Sequence, residues 1–552
     1  MQVIAALIAD LEATPLGTRS RLADDLRGRP VLRRTVEQLT RARQLSGVHV
    51  LCPANQIERC RTLLTGTPAQ LHAFDPDAGP GSALVRSARK WSLDGWRGGI
   101  GGTTAFDEYT PAPLMAGLLQ SVPADAVLPV PPAAVLVDPE LTDRLIDARR
   151  AAGEDVRMMF MPGPPGLAGV LLDRAVVEEL ARERLPLGSV FSYKPDKPAK
   201  DLIFQPCCCE PPAAVRYVAA RLIADTRRST ECLASLLADH PTPDVETIGT
   251  WLSRHEATTV EPLPREVEVE LTTLDPYPDA VLRPRGQQLQ RDATIDPALV
   301  EKVTAELSGY DDSLVVLGGF GDPLRHPRFE EVIRRLPRST PRQAGIYGLA
   351  VTTTGVDLTE SIMATLIETG VDVLNIMLEA WSPLLYAALQ APSAPATADL
   401  PALLERLKCC EDCRLQRRSP LPLLVPGLTK ARQNVEEIDT FHDECLRRWG
   451  AVQITGASHH ARQTPDHRVI NMAPAARTTC RRLRRRCLVL ADGRVTLCDQ
   501  DLRGLYTIGS LREQTLAELW HSPAFQQVRD AHRRGQFAPN PLCAACEEWQ
   551  RP

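Results

Sequence analysis

"ELTTLDPYPDAVLRPRG" (residues 270–286) reads as a β-strand end running straight into a loop rich in proline and aspartate, and "LVVLGGFGDPLRHP" (314–327) repeats the design with a glycine-rich loop. Working outward, strands are predicted at 267–273, 314–318, 346–352 and 372–378, with helices between them. "PLPLLVPGLTK" (420–430) and "AVQITGASHH" (451–460) add two more strands. Strands that alternate with helices predict parallel pairing through crossovers. Six such units fit an open, partial (β/α) barrel better than a full eight-fold one.

The first half of the chain has the same rhythm. "MQVIAALIA" (1–9), "GVHVLCPA" (47–54), "DAVLPVP" (125–131) and "GLAGVLLD" (166–173) are strand-like. Helical patterns fall at 29–44, around 55–65, at 138–153 and at 174–184, and 211–256 reads as mostly helical. This predicts a second α/β region with a largely parallel sheet. "EATTVEPLPRE" (256–266) looks like a linker. The expected domains are 1–255, 266–470 and 471–552, the last short, Arg-rich and Cys-bearing.

The length of 552 residues calls for several domains. A net charge of −5 offers no global attraction to nucleic acid or a membrane surface. The N-terminus lacks the basic flank and cleavage site of a signal peptide, and no apolar run approaches the roughly 18–20 residues of a membrane helix. A cytoplasmic location follows as the expectation, so the 15 cysteines are read as metal or cluster ligands before disulfides.

Cys480, Cys498, Cys543 and Cys546 are spaced C-x17-C-x44-C-x2-C. Cys498 ends "LVLADGRVTLCDQD", a β-hairpin with an Asp-Gly turn, and the last pair lies in "PLCAACEEW". Four thiolates from a loop, a hairpin and a C-x2-C turn would complete a cubane cluster or a tetrahedral zinc, and the spacing alone does not separate the two. "CRRLRRRCLVLADGRVTLCDQDLRG", "TIGSLREQTLAELWHSPAFQQVRDAHRRGQF" and "PLCAACEEW" resemble the SPASM/twitch domain appended to many radical SAM enzymes. The resemblance implies an auxiliary [4Fe–4S] cluster on these four cysteines, with zinc as the alternative. Cys487 is an extra thiol read as packing. The arginines at 481, 482, 484, 485 and 486 would stabilise an anionic cluster or form a solvated basic face.

The central region resembles the radical SAM partial barrel. In "LGGFGDPLRHP", Gly318, Gly319, Gly321, Asp322 and Pro323 stand at the motif that meets the methionyl amino group of SAM. Thr354 replaces an asparagine of the family pattern, and Met377 and Glu379 replace a serine and an aspartate. Asp275, Asp279 and Leu282 keep the spacing of the C-x3-C-x2-C loop without any sulfur. Carboxylates are hard ligands and leucine is none, so neither a SAM-binding cluster nor reductive cleavage is expected. "QPCCCEPP" (Cys207, Cys208, Cys209) and "KCCEDC" (Cys409, Cys410, Cys413) are read as structural, and His459 and His460 as polar loop residues at a strand end.

"VIAALIADLEATPLGTRSRLADDLRGRPVLRRTVEQLTRA" (3–42) resembles the opening of sugar-nucleotide cytidylyltransferases, with a GT-A-like fold. Gly17, Thr18, Arg19 and Arg21 stand where the family grips a triphosphate, but no lysine follows. Ala133 occupies the place of the metal-binding aspartate, while Asp138 matches a structural one. Nucleotidyl transfer needs a divalent metal, so the fold is expected kept and the reaction lost.

This order of parts resembles the spiro-SPASM type of protein, in which the central cysteines are often missing. The leading expectation is an iron–sulfur pseudoenzyme acting in electron transfer or in binding a protein or peptide partner, apart from nucleic acid and membranes. The alternatives are a sugar-nucleotide nucleotidyltransferase and a zinc-stapled scaffold.

Overall fold

The computed structural model describes residues 1–75, 83–197, 200–283 and 292–551. The end of the opening loop, 284–286, lies outside the described residues. The chain divides into two compact units. Unit 1 is Met1–Glu256 with Tyr310–Asp312 and Ser339–Ala344; unit 2 is Ala257–Gly309, Ser313–Arg338 and Gly345–Pro552.

Unit 1 holds β1 (Val3–Ile8), β2 (Gly47–Pro53), β3 (Gln70–Phe74), β4 (Ala126–Pro129), β5 (Met158–Phe160) and β6 (Val170–Asp173). They form one sheet in the order β3-β2-β1-β4-β6-β5. β1 pairs in parallel with β2 and β4, whereas β6 runs antiparallel to β4 and β5. Successive side chains of β1 go to opposite faces: Val3, Ala5 and Leu7 enter one hydrophobic cluster, and Ile4, Ala6 and Ile8 another. A strand covered on both faces reads as an unbroken apolar run, which is why "VIAALI" stood out. Asp138 caps the helix Pro139–Ala151 through its Oδ1, which accepts from the Leu141 N–H at 2.8 Å. β3 and β5 escaped the sequence pattern because each is a short edge strand.

One expectation is corrected here. Residues 211–226 are not helical; helix begins at Arg227 and at Val245 only. Pro211 and Pro212 open the stretch, and its backbone spends its hydrogen bonds on other segments, Leu222 N–H on the Pro165 carbonyl at 2.8 Å and Ala224 N–H on the Ala133 carbonyl at 2.9 Å.

Unit 2 holds β7 (Glu266–Glu270), β8 (Leu314–Gly318), β9 (Gly348–Thr353), β10 (Val373–Met377), β11 (Leu423–Lys430) and β12 (Gln453–Gly456), all paired in parallel. β13 (Arg486–Val489), β14 (Arg494–Thr496) and β15 (Thr507–Ser510) follow. The nine strands make one sheet, β12-β11-β10-β9-β8-β7-β13-β14-β15. β13 lies parallel to β7, with Arg486 opposite Glu266 and Leu488 opposite Glu268. The Cys-bearing tail therefore extends the sheet of the six parallel strands. In β7, "EVEVE", Val267 and Val269 are buried on one face and the three glutamates take the other.

Further bonds fasten the tail. Trp520, completely buried, donates its indole N–H to the Glu261 carbonyl at 2.8 Å. Lys302 Nζ donates to the Leu511 and Gln514 carbonyls at 2.7 and 2.6 Å. Arg551 Nη1 donates to the Gly456 carbonyl at the end of β12, at 2.7 Å. The tail is thus held at β7 by strand pairing and at β12 by a guanidinium. Among the described residues no helix is long and apolar enough to cross a membrane.

Candidate metal centre

Cys480 precedes the short helical turn that leads into β13, Cys498 lies just beyond β14, and Cys543 and Cys546 occupy the one-turn helix Pro541–Ala545 and its cap. Asn540 fixes that turn by accepting the Cys543 N–H at 3.2 Å. Cys480 and Cys543 are buried, Cys498 and Cys546 half-buried, and all four are free thiols. Burial pushes every one of them up, Cys543 to about 12 and Cys498 well above the ordinary range. Mutual repulsion adds to this, since Cys480 raises Cys498, Cys543 and Cys546. Such thiols give up their protons only to a strong local positive charge, and a bound metal centre is the common source. Among the described residues no three His, Cys, Asp or Glu side chains stand close enough to hold one metal ion.

The surroundings suit an anionic group. The Glu548 N–H donates to the Cys546 sulfur at 3.3 Å. Arg482 is nearly buried and donates through Nη1 to both oxygens of Asp499, at 2.7 and 2.6 Å, which holds that carboxyl below its usual range despite burial. Arg477 Nη1 donates to the Cys543 carbonyl at 2.9 Å. The Nε atoms of Arg477 and Arg482 and the Nε2 of His532 are buried without a hydrogen-bond partner. Unpaired donors beside four thiols fit a thiolate-bound iron–sulfur group, which carries negative charge and offers sulfur acceptors. Cys487 lies on β13, buried near Arg529. Of the expected arginine run, Arg482 is drawn to Cys480 and Cys498, whereas Arg486 pairs with Glu266 at 3.1 Å. The loop after β12 approaches as well: Ser458 Oγ donates to Gln500 Oε1 at 2.7 Å, and His459 Nε2 lies 3.3 Å from the Glu547 carboxylate.

The loop after β7 is built differently. Asp275 accepts from the Tyr277 N–H at 2.7 Å and from Arg283 Nη2 at 3.2 Å, and Arg283 Nη2 also reaches Gln390 Oε1 at 3.0 Å. Asp279 accepts from the Ser393 N–H at 3.0 Å, and Leu282 offers no donor atom. A buried ion pair and amide contacts occupy this loop. The glycine-rich loop after β8 packs tightly on the first. A Cβ on Gly321 would stand 1.7 Å from the Thr272 carbonyl oxygen, so only glycine fits there. Asp322 is fully buried and accepts from Thr353 Oγ1 at 2.9 Å, from the Thr354 N–H at 2.9 Å and from Thr354 Oγ1 at 2.6 Å, while Pro323 begins a single helical turn. Gly318 closes β8, and the Gly319 N–H donates to Glu268 Oε1 at 2.8 Å. Burial pushes the Glu268 carboxyl up to about 7, with repulsion from Asp499 and Glu266 adding to it. Glu379, where the family pattern has aspartate, accepts from the Thr429 N–H at 2.6 Å.

Unit 1 contains a cavity of about 190 Å³, lined by Asp10, Thr14, Arg21, Arg86, Ala133 and Asp225 among others. Of the expected phosphate loop only Arg21 reaches it. Thr18 bonds Thr14 at 2.8 Å and Arg19 pairs with Asp24 at 2.7 Å, while Gly17 takes a left-handed turn behind Arg86. Two lining carboxylates are already neutralised. Glu108 accepts from Arg89 Nε at 2.8 Å and Arg221 Nη2 at 2.9 Å, and Asp225 accepts from Arg221 Nε at 2.8 Å. Arg86 lay outside the sequence reading because nothing local in its helix marks it as facing a cavity.

Residues 480–547 match the family model of SPASM, an iron–sulfur cluster-binding domain. An uncharacterized protein of Treponema pallidum (strain Nichols) is 25% identical over 264 residues, 46% of this chain and 68% of that protein. Among solved structures, the chain is similar to BtrN in complex with AdoMet and 2-DOIA, at 16% identity and TM-score 0.32 over 51% of this chain and 92% of that one. It is similar to SuiB of Streptococcus suis bound to the precursor peptide SuiA, at 11% identity and TM-score 0.38 over 52% and 71%. A cytidylyltransferase from Leptospira borgpetersenii serovar Hardjo-bovis (strain JB197) matches at 14% identity and TM-score 0.30, over 46% and 93%. The SPASM match falls on the end of the chain that the sequence reading gave to that domain.

Proposed function

We propose that the chain is an iron–sulfur protein in which Cys480, Cys498, Cys543 and Cys546 hold a [4Fe–4S] cluster, and that the parallel-strand region beside it no longer performs S-adenosylmethionine chemistry. The observation that carries this reading is the SPASM match over the four thiols, joined to the buried donors that lack partners around them. Bound there, the cluster would supply one-electron chemistry. The chain's own residues bury the thiols, support the C-x2-C turn through Asn540 and Arg477, and place Arg482 beside Cys480 and Cys498. The loop that would carry a second cluster instead holds the Asp275–Arg283 pair, which supports a silent barrel. The cluster would then serve electron transfer or the binding of a protein or peptide partner, in the cytoplasm.

Iron, zinc and sulfide content after anaerobic purification, with the visible spectrum, tests this. About four irons and four sulfides per chain are expected. A single zinc without iron would leave a scaffold protein; twice the expected iron would place a second cluster elsewhere in the chain.

A second reading rests on the unit 1 cavity, where Arg21 and Arg86 meet the hydroxyls of Thr14 and Ser20. Guanidinium and hydroxyl groups suit a nucleotide's phosphates. Against transfer chemistry, Ala133 supplies no ligand and Arg89 and Arg221 neutralise Glu108 and Asp225. A thermal shift with CTP that requires magnesium would favour a nucleotidyltransferase. A shift indifferent to magnesium would mean binding alone, and no shift would remove this reading.

A further inference from the structure

Two guanidiniums divide the four thiols between them. Arg482 acts electrostatically on Cys480 and Cys498, and Arg477 on Cys543 and Cys546. Their charges are spent differently. Arg482 is matched by Asp499. Arg477 donates only to the carbonyls of Cys543 and Cys546, at 2.9 and 3.5 Å, and lies 4.2 Å over the Phe537 ring. Among the described residues no carboxylate pairs with Arg477, and its Nε–H is buried with no partner.

His532 completes the set. Its Nδ1 accepts the Cys480 N–H at 3.5 Å, and a backbone N–H can only donate, so the ring proton of the neutral histidine sits on Nε2. That Nε2–H is buried and has no acceptor, and the ring packs edge-on to Phe537, with centroids 4.9 Å apart. Phe537 therefore packs against both Arg477, which bonds the Cys543 and Cys546 carbonyls, and His532, which accepts the Cys480 N–H. A buried donor without an acceptor costs about 1–3 kcal/mol. Here two such donors belong to side chains that pack on one aromatic ring and bond the backbone of Cys480, Cys543 and Cys546, and a third belongs to Arg482.

We infer that Arg477 and His532 act on the cluster: their unpaired N–H groups bond its sulfur atoms, and the uncompensated charge of Arg477 raises its reduction potential. Hydrogen bonds to cluster sulfur and nearby positive charge both favour the reduced, more negative state. Arg482, cancelled by Asp499, contributes mainly its hydrogen bond. This inference rests on the reading of the four thiols as an iron–sulfur site, and it goes beyond that reading by assigning roles to residues that are not ligands.

The test is the midpoint potential of the full-length holoprotein, followed by dithionite titration with electron paramagnetic resonance, beside iron and sulfide content of each sample. Arg477→Gln is expected to lower the potential and Arg477→Lys to recover most of it; His532→Phe lowers it by less. Unchanged potentials in Arg477→Gln and His532→Phe at full iron content would overturn the inference. If Arg477→Gln retains no iron while Arg477→Lys does, the charge is required for the cluster to be held, which supports the same assignment. If both lose iron, His532→Phe decides, with an unchanged potential overturning the role of the donors. Wild-type protein with zinc and no iron would refute the cluster reading itself, an outcome separate from any of these.

Discussion

Two loops in unit 2 follow strands of one sheet and have opposite chemistry. After β7, the Asp275 carboxylate accepts from Arg283 Nη2, which also donates to the Gln390 amide oxygen, while Arg283 Nε and Nη1 are buried without a partner. After β14 and in the tail, the cysteines meet no such partners; burial and mutual repulsion keep their protons on, while donors beside them stay unpaired. One region has matched its carboxylate with a guanidinium from the same loop. The other is incomplete as a purely protein structure. A surviving backbone shape, such as the tight Gly321–Thr272 contact, says little about surviving chemistry; the balance of donors and acceptors says more.

The largest effect that would sharpen this contrast is at the thiols. Cys543→Ala should bring bound iron from about four atoms per chain to near zero, by colorimetric assay, and lower the melting temperature, because a structural metal group contributes folding energy directly. Full iron retention would break the comparison. Next comes the charge-paired loop after β7. Asp275→Ala strands Arg283 in a buried site, and roughly 3–5 kcal/mol of stability should be lost in chemical denaturation while iron content is unchanged. Loss of iron together with stability would mean that the two loops are not independent.

Glu268 lies between them and offers a smaller, pH-dependent test. Its folded-state carboxyl is raised to about 7 from an ordinary 4.5, so the folded protein binds the proton more tightly than the unfolded chain. Stability from this group is present below the unfolded value and is lost as pH rises through about 7, on the order of 2–3 kcal/mol in all. Glu268→Gln should flatten that slope in melting curves between pH 5 and pH 8, taken at roughly one-unit steps. A slope equal to that of the wild type would assign it to another group. The smallest effect is expected in unit 1, where Arg19→Ala removes an exposed pair with Asp24 and should change stability by about 0.5 kcal/mol or less. The same substitution should leave any CTP-induced thermal shift unchanged, since Arg19 does not line the cavity. A lost shift would return Arg19 to the binding site.

Much of this was legible in the chain itself. The apolar runs of β1, β2, β8 and β10 carry their own signal, since a strand covered on both faces has to be hydrophobic throughout. "ADGRV" announced its hairpin because an Asp-Gly turn suits few other structures. The stretch 211–256, expected to be mostly helical, is so only from Arg227 onward, since distant segments at 133 and 165 claim backbone hydrogen bonds of its first part. Arg86, Arg477 and His532 carry no local mark at all.

The sequence by itself determined the elements, their α/β alternation and the four thiols of the tail, because periodicity and ligand spacing are properties of neighbouring residues. Tertiary structure alone decided that β13 lies beside β7, that Arg221 neutralises Asp225 in the cavity, and that Asp499 engages Arg482 while, among the described residues, no carboxylate pairs with Arg477. Parallel pairing and charge compensation join residues far apart in the chain, and which partners meet is settled only when the whole fold has closed.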